Sequence, residues 1–270
     1  MIALKDVYAG YNKNNVVLKG VSFEMDKPSI YILLGKNGAG KTTTLRVIAG
    51  ILLPIKGEII RKGSIGYLSH SLALPQDMRV KKALLFIARL IKSSPETVEK
   101  VIDILKLRDL ENKRVVDLSQ GQKKKVSLAK LFLKDFDIYL VDEPTANLDP
   151  PTASEIREMI VKLSKDKIVI YTTHNLYEAK DIGNYVILLD NGKVSVFSEV
   201  GKLKAEKYVV GIKASADLSR LLDGYYRGEY YVVTLKDPSE VNSILKDLIS
   251  KGISIYEIKE MSNPLEDLLR

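Results

Sequence analysis

The sequence contains no cysteine. Disulfides, thiolate chemistry and cysteine-ligated zinc are therefore excluded. Histidine is nearly as scarce: His70 and His174 are the only two, which rules out a histidine-rich metal site. No stretch approaches the ~18 uninterrupted apolar residues of a membrane span. The first residues, Met1-Ile2-Ala3-Leu4-Lys5-Asp6, lack a signal-peptide pattern because an acid interrupts the short apolar start. A cytoplasmic location is the expectation. What the chain does have is 46% apolar and 28% charged residues, the balance of a soluble globular protein. Its 270 residues suffice for one large domain and a small one. The net charge is +8, but the lysines are scattered. Their one compact run, Lys123-Lys124-Lys125, falls on a predicted helix and reads as a solvated face rather than a binding patch, so no nucleic-acid partner is expected.

The chain is organised around residues 35–43, Gly35-Lys36-Asn37-Gly38-Ala39-Gly40-Lys41-Thr42-Thr43, which fit the phosphate-binding pattern G-x-x-x-x-G-K-[ST]. The apolar run Ile30-Tyr31-Ile32-Leu33-Leu34 before it predicts a buried strand, and the residues from Thr43 to Ala49 continue as a helix until Gly50. Strand, glycine loop and helix are the context the pattern needs. Glycines let backbone N–H groups turn inward around an anion, and the helix N-terminus adds partial positive charge. Lys41 can reach terminal phosphates, and the Thr42 hydroxyl can ligate magnesium.

Residues 2–11 and 16–25 predict two strands joined at Asn14-Asn15, forming a one-sided sheet with Tyr11 at the end of the first. Glu58–Arg61 and Ser64–Leu68 predict two more short strands. Residues 79–91 predict a helix, and Ser94-Pro95-Glu96 offers N-cap, proline and acid for a second. Residues 71–117 thus form a helical insert, large for a connection inside an α/β domain. Leu118-Ser119-Gln120-Gly121-Gln122 leads into a further helix through Phe132. Ile138-Tyr139-Leu140-Val141 predicts a parallel strand that delivers Asp142 and Glu143 at its C-terminal edge, where ligands of open α/β sheets sit. Pro150-Pro151 opens a helix over 152–164, and Ile168–Tyr171 predicts a strand ending at Thr172-Thr173-His174. Tyr185–Phe197 predicts a hairpin around Asn191-Gly192. Beyond residue 200, strands over 208–213, 230–235 and 253–258 and a helix over 239–250 predict a small, βαβ-like α+β domain.

Taken in order, these motifs resemble the ATPase domain of ATP-binding-cassette (ABC) proteins over residues 1–200. Gly35–Thr42 matches Walker A, and Leu118–Gln122 the signature loop, with Gln120 in place of one residue of its usual glycine pair. Ile138–Glu143 matches Walker B with the catalytic glutamate, Ala146–Asp149 the D-loop, His174 the switch histidine and Tyr11 the adenine-stacking aromatic. The resemblance implies an α/β P-loop NTPase core with an antiparallel β subdomain and the helical insert. The expected division is an ATPase domain over 1–203 and a small α+β domain over 204–270. It also implies a homodimer or heterodimer of cassettes, paired head to tail around two ATP molecules. Each site would take Gly35, Asn37, Gly38, Ala39, Gly40, Lys41, Thr42 and Thr43 from one subunit. Ser119, Gly121, Gln122 and Asp149 would come from the other. Thr42 and Asp142 would hold magnesium, Glu143 would polarise the attacking water, and His174 would hydrogen-bond the γ-phosphate.

Two positions depart from the family. His70 stands where a glutamine contacts metal and water, so it is a candidate catalytic and metal-site residue acting through a bound water. Gln76 could substitute for that glutamine but lies only four residues before Val80, at the start of the predicted helix. The turn Asp26-Lys27-Pro28-Ser29 replaces the usual glycine-acid turn, a structural change. The C-terminus, Ile253–Ile258 followed by Met261-Ser262-Asn263-Pro264-Leu265-Glu266-Asp267-Leu268-Leu269, resembles the tail of export-type transporter ATPases. The resulting expectation is the ATPase subunit of an exporter, docked on the inner face of the membrane through a separate permease. The rival class is a non-transport cassette ATPase serving assembly or nucleic acid.

Overall fold

The computed structural model describes residues 1–12, 15–69, 73–203, 208–263 and 265. His70, the Asn14 end of the first turn and most of the Pro264–Leu269 tail lie outside them. The chain divides into two compact units, Met1–Val200 and Gly201–Arg270.

The first unit begins with β1 (Ile2–Asn12) and β2 (Asn15–Met25), an antiparallel pair. β3 (Ser29–Leu34) leads through the glycine loop into α1 (Lys41–Ile48). β4 (Lys56–Arg61) and β5 (Ile65–Leu68) follow, and they part company: β4 pairs with β1, whereas β5 joins a different sheet. Next come α2 (Val80–Leu90) and α3 (Pro95–Ile104), the latter capped as its sequence predicts, with Ser94 Oγ accepting from the Thr97 N–H at 3.3 Å. Two short 3-10 turns lead into α4 (Gln120–Phe132). β6 (Ile138–Asp142), α5 (Pro150–Leu163), β7 (Ile168–Thr173), α6 (Leu176–Ile182), β8 (Tyr185–Asp190) and β9 (Lys193–Glu199) complete the unit.

The six-stranded sheet runs β5-β6-β7-β3-β8-β9, parallel except for the final strand. Every residue of β6 and β7 is buried, because both faces of a parallel sheet are covered. The antiparallel sheet, β2-β1-β4, shares one core with it. Ile2, Leu4 and Val21 from the small sheet, Leu45 and Ile48 from α1, and Leu33, Leu140 and Ile170 from the large one all join that core. α1 is thereby clamped between two sheets, which holds the glycine loop that precedes it.

Asn191 and Gly192 form a two-residue turn with φ of 49° and 81°, the two positive values that a tight hairpin of this kind requires. The turn also buttresses the phosphate loop. Gly192 N–H donates to Ala39 O at 3.1 Å, and Lys19 N–H donates to Gly192 O at 2.8 Å. A Cβ on Gly192 would lie 1.9 Å from Val17 O. Gly192→Ala is therefore expected to cost about 1–3 kcal/mol in backbone strain, with steric displacement on top. A fall in melting temperature of ~5 °C or more should be seen by calorimetry.

The second unit holds β10 (Tyr208–Ala214), β11 (Tyr225–Arg227), β12 (Tyr230–Leu235), α7 (Glu240–Ser250) and β13 (Ile255–Glu260). β11, only three residues long and exposed, carries no apolar alternation to betray it in the sequence. The sheet order is β11-β12-β10-β13, with β10 antiparallel to both neighbours. β12 and β13 therefore run the same way with β10 between them, so β12-α7-β13 is a split βαβ unit. Its core is Val210, Ile212, Tyr231, Val233, Leu235 and Leu248.

Candidate functional site

The parallel register sets the site. Leu34 of β3 pairs with Thr173 of β7, and Asp142 of β6 pairs with Thr172, so three strands end side by side at one edge. The glycine loop, Asp142-Glu143 and His174 all emerge there. α1 opens at Gly40, whose φ of 110° suits glycine, and its first turn carries no acid. The positive end of its dipole is left for an external anion. Gly38, with φ 83°, has the same conformational requirement.

Lys41 is 6% exposed, and its Nζ donates to Gly35 O at 2.8 Å and Lys36 O at 3.2 Å. The same ammonium lies 3.5 Å from Glu143 Oε1, and His174 Nδ1 approaches that oxygen to 3.6 Å. Three predicted catalytic side chains thus meet at one carboxylate. Thr42 Oγ1 donates to Asp142 Oδ1 at 3.2 Å, and Thr172 Oγ1 donates to the same oxygen at 2.8 Å. The other oxygen, Asp142 Oδ2, is buried with no hydrogen-bond partner among the described residues. A buried, unpartnered carboxylate oxygen beside a threonine hydroxyl is a donor set suited to a hard cation such as magnesium. Among the described residues no group of three or more His, Cys, Asp or Glu could hold a metal ion.

Tyr11 is half exposed beside α1. Its hydroxyl accepts from Arg46 Nη1 at 2.8 Å and lies 3.5 Å from Thr43 Oγ1, while the Arg46 guanidinium stands 5.6 Å from the ring centroid. Gln76 is exposed, and its Nε2 donates to Leu74 O at 3.1 Å.

A cavity of about 220 Å³ opens beside Glu143 and His174, walled by Thr145, Asn147, Leu148 and Glu178. Glu178 is 5% exposed and accepts hydroxyl hydrogen bonds from Thr145 (2.6 Å), Tyr171 (2.6 Å) and Thr173 (2.7 Å). Burial and the neighbouring Glu178 charge push the Tyr171 phenol well above its usual range, so it stays a donor. This carboxylate ties the loop after Glu143 to the strand before His174. Sequence reasoning missed it, and its only signal was its place four residues after His174.

Ser119, Gly121, Gln122 and Asp149 gather elsewhere, in a second cleft of about 630 Å³ that no residue of the phosphate loop lines. Ser119 and Gln122 form a capping box on α4: Ser119 Oγ accepts from Gln122 N–H, and Ser119 N–H donates to Gln122 Oε1. The serine hydroxyl proton remains free to donate. Asp149 caps α5 through Thr152, whose N–H and hydroxyl hold its carboxyl below the usual range. Gln120 is exposed at the start of α4. Asn147 and Leu148 wall both cavities, so the segment 146–149 is the partition between them.

The expected solvated lysine face is corrected by the structure. All three lysines are partly buried and engaged: Lys123 with Val116 O (3.0 Å), Lys124 with Glu143 O (3.0 Å) and Lys125 with Glu155 Oε1 (2.8 Å). Burial pulls the Lys124 ammonium below the usual lysine range, against the opposing pull of Asp142 and Glu143.

A parallel sheet whose strands present a glycine loop and carboxylates at one edge, with an antiparallel sheet and helical segment attached, defines a P-loop NTPase domain. Comparison with known proteins narrows this. Residues 18–146 match the ABC transporter family. The chain is 34% identical over 232 residues to the energy-coupling factor transporter ATP-binding protein EcfA of Methanocaldococcus jannaschii, covering 76% of this chain and 83% of that protein. It is 29% identical over 291 residues to the uncharacterised ABC transporter ATP-binding protein YxlF of Bacillus subtilis, covering 99% and 98%. A solved dimeric ATP-binding cassette, MJ0796 bound to ADP and phosphate, superposes with a TM-score of 0.67 at 22% identity over 74% of this chain and 98% of that one. The chain belongs to the ATP-binding proteins of the ABC transporter family.

Proposed function

We propose that this chain hydrolyses ATP to drive a separate transmembrane permease, as one of a head-to-tail pair of cassettes. The observation that carries this reading is the separation of its functional residues into two groups. Lys41, Thr42, Asp142, Glu143 and His174 gather at one edge of the large sheet, whereas Ser119, Gly121, Gln122 and Asp149 line a separate cleft. Each is half of a nucleotide site, and pairing two subunits face to face would complete both.

Within each completed site, Tyr11 would stack on adenine. Lys41 and the loop N–H groups of residues 35–43 would bind the β- and γ-phosphates. Thr42 and Asp142 would hold magnesium, which supplies charge neutralisation on the phosphates. Glu143 would accept the proton of the attacking water, with His174 donating to the γ-phosphate. Ser119 and Gly121 would meet the partner's γ-phosphate from the N-terminus of α4. His70 is proposed for the glutamine position of the family, from sequence alone.

Residues 1–203 would be the ATPase domain and 204–270 an accessory domain, a reading supported by the two compact units. No helix of the described residues is long and apolar enough to cross a membrane, which accords with a permease on a separate chain. Export is the proposed direction, on the likeness of the C-terminal tail, although relatives named for export and for import match at similar identity. The test is phosphate release by the purified chain with magnesium and ATP, followed by co-purification with a membrane-spanning partner. Failure to release phosphate, or a complex that depends on RNA or DNA, would overturn the reading.

A further inference from the structure

We infer that Lys124 is a positioning residue for Glu143, holding the backbone of the hydrolytic carboxylate from a helix that begins at the other cleft. The inference rests on the hydrolytic reading above. Glu143 has φ of 45°, a left-handed conformation that a glutamate adopts only when its surroundings impose it. Both of its peptide groups are held by side chains. Its N–H donates to Thr172 Oγ1 at 2.9 Å, and its C=O accepts from Lys124 Nζ at 3.0 Å. Thr172 in turn donates to Asp142, so one end of the residue is fixed by the sheet.

At the other end the carbonyl is held from α4 by Lys124 at 3.0 Å and, at a longer 3.4 Å, by the Ala146 N–H. Lys124 lies on the helix whose capping box, Ser119 with Gln122, walls the second cleft. A lysine that gives up hydration to reach a carbonyl needs that bond to repay the loss. The carbonyl it reaches belongs to the residue whose carboxylate must face Lys41 and His174. Releasing the carbonyl would let the Glu143 backbone relax toward an unstrained conformation and swing its carboxylate out of line. A misplacement of about 1 Å costs on the order of 100-fold in rate, so a partial release should be readily measurable.

The experiment uses the full-length chain with Lys124→Met and Lys124→Arg, measuring kcat, KM and equilibrium ATP affinity. Lys124→Met should lower kcat by about tenfold, with KM and ATP affinity within about twofold of wild type. Lys124→Arg, which keeps a cationic donor, should recover most of the loss. In a Glu143→Gln background, Lys124→Met should add little, because the two residues act as one unit. Wild-type kcat in Lys124→Met would overturn the inference while leaving the hydrolytic reading intact. So would a parallel loss of ATP affinity with no recovery in Lys124→Arg, which marks a fold defect instead. A wild-type chain that binds ATP but releases no phosphate would sink the hydrolytic reading and this inference with it.

Discussion

Glu143→Gln is expected to bind ATP with near wild-type affinity and to lose at least about 100-fold in turnover. The carboxylate oxygen lies 3.5 Å from Lys41 Nζ and 3.6 Å from His174 Nδ1, so its position is set by two nitrogen-bearing side chains from different elements. Glutamine has nearly the same shape and can keep its carbonyl oxygen toward Lys41. What it cannot do is take a proton from water, because an amide is far less basic than a carboxylate. The backbone conformation, held through Thr172 and Lys124, should survive. Binding and catalysis should therefore separate, and the ATP-bound dimer should accumulate. Size-exclusion chromatography with magnesium and ATP will show a species of twice the monomer mass for this variant. A variant that stays monomeric at high protein concentration would count against the head-to-tail pairing.

Lys41→Ala is expected to abolish measurable hydrolysis and to weaken ATP binding as well. Lys41 bridges the loop carbonyls of Gly35 and Lys36 and the Glu143 carboxylate. Removing it withdraws the positive charge that would meet the β- and γ-phosphates. It also leaves Glu143, whose side chain is 19% exposed, without its nearest cation. Thermal unfolding separates these effects. A wild-type chain with ATP at about 100 times Kd gains about 2.7 kcal/mol. The variant should show almost none of that gain, whatever its stability without nucleotide. A normal ligand-induced shift, or near wild-type turnover, would contradict the assignment of the phosphate loop.

The sequence by itself determined the parts whose requirements are local. The glycine loop between Leu34 and Lys41, the Asn191-Gly192 turn and the Ser94 cap each depend on a few consecutive residues with particular backbone freedom or hydrogen-bonding reach. Buried strands were legible because β6 and β7 are apolar on both faces. The tertiary structure alone decided that β7 lies between β6 and β3, and that β4 and β5 enter different sheets. It alone decided that residues 119–122 line a cleft to which residues 35–43 contribute nothing. Glu178 and Lys124 show why. A glutamate on a short helix and the middle lysine of a run of three carry no pattern that names their partners. Their roles depend on Thr145 and Glu143, brought within hydrogen-bond reach from positions 33 and 19 residues away in sequence. Hydrogen bonding acts over about 3 Å, and which atoms lie that close is settled by how strands and helices pack, not by the residues flanking either partner.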